Sequence, residues 1–112
     1  CKNQILLTII DIGHKNFNLD KAMAVLGSEV SSLIFQGESR AIKIIHGHGS
    51  GALKYAVREW CIEQKGRFKA VIFGENYDMF DKDSMDMRSD CGLPDDKDFG
   101  RRNSAITYIW LR

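Results

Sequence analysis

The chain opens with NQILLTIIDI (3–12), a short apolar run rich in β-branched residues that predicts a buried strand. Asn18 then stands as an N-cap, with Asp20 in the first turn, where the helix dipole favours an anion. Leu19, Met23, Leu26, Val30, Leu33 and Ile34 follow at steps of three and four, the stripe of an amphipathic helix that Gly37 stops. RAIKIIH (40–46) predicts a second strand. Leu53, Ala56, Val57, Trp60 and Cys61 form the buried stripe of a second helix. Ser50 is its expected N-cap, Lys54, Arg58 and Glu59 its outward residues, and Gly66 its stop. FKAVIFG (68–74) and SAITYIWLR (104–112) predict two further strands.

This β-α-β-α-β-loop-β order predicts an α/β two-layer sandwich, with a four-stranded mixed sheet and two helices on one face. Right-handed crossovers imply parallel pairing among the first three strands. The last strand puts Ile106, Tyr108 and Trp110 on one side and Ala105, Thr107, Ile109 and Leu111 on the other. Both sides are apolar, so the second sheet face needs a cover. Three candidates are the stretch between the third and fourth strands, a homodimer partner, and further domains of a parent protein. That stretch shows no helical or strand period and reads as a long insertion loop, residues 76–103, which Tyr77, Met79 and Phe80 would anchor to the sheet.

Composition changes the picture in two ways. At 112 residues, without an initiating methionine, the chain reads as one domain, residues 1–112, excised from the C-terminal part of a longer protein. No apolar run approaches a membrane span, so no membrane partner is expected. Three cysteines, Cys1, Cys61 and Cys91, lack metal-ligand or disulfide spacing and fit a cytoplasmic setting, with Cys61 as a core filler. The net charge of +1 hides an asymmetry: residues 75–98 carry nine acidic against three basic side chains, leaving +7 on the remainder. A basic body calls for an anionic partner, and the acidic segment is placed to screen it.

The candidate chemistry lies in IIHGHGSGALKYAVREW, where a strand passes through a glycine-rich turn into a helix. Backbone N–H groups at such a junction attract anions. A P-loop is excluded, because Gly51 is followed by Ala52 and Leu53. Gly47-x-Gly49-x-x-Ala52 matches a dinucleotide fingerprint, but two crossovers do not build its crevice. His46 and His48 would need two more metal ligands, and alternation points them apart. In the insertion, Asp81-x-Asp83-x-Met85-Asp86 lacks the remaining ligands and glycine of an EF-hand.

The same stretch resembles the His-Gly-x-Gly motif of the Smr (small MutS-related) domain, followed as there by a basic amphipathic helix. IDI (10–12) sits where that family carries Leu-Asp-x-His, and the later strands agree in order and length. The resemblance implies a four-stranded, two-helix sandwich and a DNA-nicking or RNA-cleaving endonuclease. It makes Asp11 a base or metal ligand, with magnesium the candidate cofactor, and His46 an acid/base or phosphate donor. Gly47, His48, Gly49, Ser50 and Gly51 would hold the phosphate, with Lys54, Arg58, Lys43, Arg101 and Arg102 extending a nucleic-acid track. Asp11 and His46 would face one crevice at the strands' carboxyl ends. The family's first-motif histidine falls at Gly13 here and His14 follows, a one-residue shift that re-aims a side chain. His14 is thus the third catalytic candidate, and a non-catalytic nucleic-acid or protein interaction module is the alternative reading.

Overall fold

The computed structural model describes residues 6–13, 18–47, 51–94 and 96–111. The elements are β1 (Leu7–Asp11), α1 (Leu19–Gln36), β2 (Ala41–Ile45), α2 (Ala52–Glu63), β3 (Ala70–Phe73), α3 (Lys82–Asp90) and β4 (Ile106–Trp110). Single 3-10 turns at Lys65–Arg67 and Gly74–Asn76 flank β3. α1 begins and ends on its expected caps: the Asn18 carboxamide accepts from Lys21 N–H, and Gly37 closes the helix at φ 74°.

The sheet order is β1-β2-β4-β3, with β1 parallel to β2 and β4 antiparallel to both β2 and β3. The expected parallel pairing among the first three strands therefore holds for β1 and β2 only. β3 runs in their direction, but β4 lies between it and β2. Burial explains the insertion, because every residue of β4 is buried and a strand apolar on both faces is stabilised most inside a sheet.

Two cores lie on opposite faces. On one, Ala22, Leu26 and Val30 of α1 and Val57 and Cys61 of α2 pack onto Ile10, Ile42, Ile44 and Ile109. Cys61 is a fully buried filler, and burial pushes its thiol up to about 12. On the other face the acidic stretch itself is the cover. Tyr77 stacks on Tyr108 with ring centroids 4.0 Å apart, and Phe99 meets Tyr77 edge-on. Met87 and Cys91 complete that core with Ile72, Ile106 and Trp110.

The expected structureless loop thus contains a helix, and the sandwich has a third helix on its second face. α3 starts where the Asp81 carboxylate caps Ser84 N–H, and it buries only Ser84 and Met87. Met79 and Phe80, expected anchors, are instead exposed, at 65% and 88%. Because the face is covered from within the chain, it offers no reason to invoke a homodimer or another domain. None of the helices described is long and apolar enough to cross a membrane.

Candidate functional site

β1 and β2 end side by side, with Asp11 opposite Ile45, and both strands then turn toward the glycine-rich segment. Ile45 carbonyl accepts from the N–H groups of both Ile12 and Gly13, and the Asp11 carboxylate accepts from Gly13 N–H at 3.1 Å. A Cβ at Gly13 would stand 2.8 Å from the His46 carbonyl carbon and 2.9 Å from its oxygen. Gly13 is therefore required by space: its bare backbone lies directly on the His46–Gly47 peptide.

Alternation separates the two expected catalytic side chains. Ile10 and Ile12 enter the helix-side core, so Asp11 leaves the sheet on the other face. His46 follows Ile44 on the helix side and packs toward α2. The Gly13 backbone, two residues past Asp11, lies on the His46–Gly47 peptide between the two strand ends.

His46 is 4% exposed and has both ring nitrogens engaged. Its Nδ1 is 3.1 Å from Gly47 O and its Nε2 2.9 Å from Thr107 Oγ1. The carbonyl can only accept, which puts the ring proton on Nδ1 and makes Nε2 the acceptor of the Thr107 hydroxyl. Burial, reinforced by the nearby charges of Arg58 and Lys54, pushes the imidazole pKa down to about 4, against a raising effect of Gly47 O. At neutral pH this histidine is uncharged.

The chain of bonds continues outward. Arg58 Nε–H donates to Thr107 Oγ1 at 3.1 Å, while its two terminal nitrogens grip the Glu75 carboxylate at 2.8 and 2.6 Å. The guanidinium also lies 4.2 Å above the Phe73 ring and reaches the carbonyls of Ser104 and Ile106. The Arg58 hydrogen bonds hold the Glu75 carboxyl down to about 2. Arg58, expected on the outer face of α2, is 8% exposed because this many acceptors converge on it. Glu75, Arg58, Thr107 and His46 form one path from the surface to the glycine turn.

Neither Thr107 nor Glu75 is among the site residues that the sequence predicts. The available signals were a lone hydroxyl in the apolar run SAITYIW and an acid closing the third strand.

The remaining candidates divide by what surrounds them. Lys43 is buried on the insertion side, where its ammonium donates to Asp96 at 2.7 Å and Asp98 at 2.6 Å. Burial alone would lower its pKa, but the bonds and charges of the two carboxylates together leave it raised. It therefore adds no free charge to the surface. Lys54 occupies the first turn of α2, half-buried, close enough to influence both His46 and Glu75. Arg101 and Arg102 are exposed on the segment leading to Ala105, whose carbonyl accepts from both His46 and Gly47 N–H at 3.0 Å.

Gly47 and Gly51 adopt left-handed φ values of 77° and 90°. Gly51, rather than Ser50, is the N-cap residue, so α2 starts directly from the glycine turn. His14, His48, Gly49 and Ser50 lie outside the described residues. Among the described residues no three His, Cys, Asp or Glu side chains gather to hold a metal.

The family model described as the Smr domain matches residues 14–77. Among solved structures, the chain is similar to the crystal structure of the Smr domain of Thermus thermophilus MutS2, at TM-score 0.60 and 18% identity. That likeness covers 94% of this chain and 98% of the other, and it extends to the mixed four-stranded sheet and its helices. No curated protein matches the chain.

Proposed function

The chain belongs to the Smr domain family, and from that premise we propose that it binds the phosphate backbone of DNA or RNA at the glycine turn. The start of α2 at Gly51, directly behind the glycine turn, carries this reading. A positive dipole end and Lys54 in the first turn of α2 meet where glycines leave the backbone approachable. Gly47 supports it further, because among the described residues nothing lies within 4 Å of the position its Cβ would take.

Within this reading His46 is a positioning residue. Neutral, buried and bonded at both nitrogens, it has no proton to offer a leaving oxygen in this arrangement. Endonuclease activity is the second reading. Its support is the Asp11 carboxylate at the end of β1, two residues from the Gly13–His46 contact. Asp11 would then be the base that activates the nucleophile, and His14 the candidate acid.

Single-stranded RNA, structured RNA and supercoiled plasmid, each with and without magnesium, distinguish the readings. Salt-sensitive binding that weakens in Lys54→Ala is the expected result, and no binding at low salt to any of the three would overturn the proposal. Cleavage abolished by Asp11→Asn establishes the endonuclease reading. Cleavage that survives that substitution removes Asp11 from the chemistry.

A further inference from the structure

Beside the glycine site, α2 and β3 enclose a groove of about 620 Å³ lined by Tyr55, Arg58, Glu59, Ile62, Glu63 and Phe73. Tyr55 and Ile62 are 71% and 54% exposed, although they line an apolar floor. β3 is the last strand of the described sheet. Its outward-facing groups follow from the ladder. Leu111 N–H donates to Arg40 O and His46 N–H to Ala105 O, so alternate β4 residues 105 to 111 face β2. Ile106, Tyr108 and Trp110 then face β3, where Tyr108 pairs with Ile72 and Trp110 with Ala70. Val71 and Phe73 therefore turn their backbone N–H groups to the open edge. The strand reads Ala-Val-Ile-Phe, with neither a charge nor a proline to block pairing.

We propose that this edge and groove receive an extended basic-apolar peptide from a protein partner, added as a fifth strand beside β3. Strand addition satisfies the outward amides, and the period of two sends every second side chain toward the groove. The charge of the walls selects the occupant. Arg58 is already bound at both terminal nitrogens by Glu75, which leaves Glu59 and Glu63 as the groove-lining charges without an ion pair among the described residues. Lys69, next to β3, is turned onto the Trp110 ring at 4.4 Å. An acid-lined apolar groove repels phosphates and attracts lysine or arginine alternating with aliphatic residues. This assignment is independent of nucleic-acid binding at the glycine turn.

Three nonapeptides test it, in which isoleucine alternates with lysine, with glutamate or with serine, each titrated into the 15N-labelled chain. The lysine peptide is expected to move the Val71 and Phe73 amide resonances and to bind at least tenfold more tightly than the glutamate peptide. N-methylation of alternate peptide amides is expected to weaken binding at least tenfold in one register and little in the other. A Glu59→Lys/Glu63→Lys protein should invert the charge preference. The proposal is overturned if both N-methylation registers behave alike, if charge reversal leaves the preference unchanged, or if no peptide shifts these amides. It is equally overturned if single-stranded RNA, and not the lysine peptide, shifts them.

Discussion

At Gly13 the constraint is contact with backbone: a Cβ placed 2.8 Å from the His46 carbonyl carbon cannot be relieved by moving a side chain. Gly13→Ala is expected to cost about 1–3 kcal/mol, the usual range for overpacking, read from urea denaturation. Gly13→His, which restores the family's first-motif spacing, should cost more and gain no activity, because the ring enters a space that the His46 peptide occupies. A second expectation at this scale concerns protonation of His46. Its folded pKa of about 4 lies below the unfolded value of 6.5, so between them the unfolded chain binds more protons. This contribution to stability is complete above about pH 6.5, falls as pH drops and levels off below about 4. The full difference is roughly 3 kcal/mol. Denaturation of the parent and His46→Gln chains between pH 7.5 and 4.5 measures it as the difference in slope. An NMR titration in which His46 protonates near 6.5 would contradict the buried, doubly bonded ring.

The acidic stretch is the element that most changes with structural knowledge. Its clamp is Lys43 between Asp96 and Asp98, with Tyr108 hydroxyl donating to Asp96 at 2.7 Å. Lys43→Met leaves two nearly buried carboxylates without their cation, and about 3–5 kcal/mol of stability should be lost. Adding Asp96→Asn and Asp98→Asn should recover most of that loss, and thermal melts of the single and triple variants decide it. If the triple variant melts no higher than the single, the buried charge is not the cause. The Asp98 pKa, which burial raises, is lowered overall by Lys43 and Asn103, so the clamp weakens in acid as pH falls below the ordinary carboxylate value. α1 and α2 were legible because their apolar positions recur over several turns. β1 and β2 were legible because their apolar runs are rich in β-branched residues. α3 was not, because its buried stripe is only Ser84 and Met87, continued by Cys91, amid charged residues. Strand order was likewise hidden, since β4 pairs with β2 and β3 from the far end of the chain. At the site, the glycine turn was visible in sequence. The burial of His46 and Arg58 was not, because it depends on Thr107, Glu75 and the Ser104 carbonyl, which only folding brings together.

Across the whole molecule, the +7 of the body and the −6 of residues 75–98 are not two opposed surfaces. Much of the difference is settled by pairing within the chain: Lys43 with Asp96 and Asp98 and Arg58 with Glu75 where these are largely buried, and Arg40 with Asp90 at the surface. Among the described residues, Lys54 stands in the first turn of α2 and the exposed Arg101 and Arg102 on the segment leading to Ala105, so binding there should depend on few charges and respond to each. For single-stranded RNA, log Kobs against log salt should lose about 0.7 in slope on Lys54→Ala, the value of one released counterion. Arg101→Ala/Arg102→Ala should lose about twice that. Arg40→Ala is the control, because its guanidinium already faces Asp90 on the insertion side. If Arg40→Ala flattens the slope as much as Lys54→Ala does, the nucleic acid responds to diffuse charge and the glycine turn is not its seat. If only the Lys54 and Arg101/Arg102 variants flatten it, the contacts lie where β2 hands over to α2, and the internal pairing has concentrated the body's positive charge there.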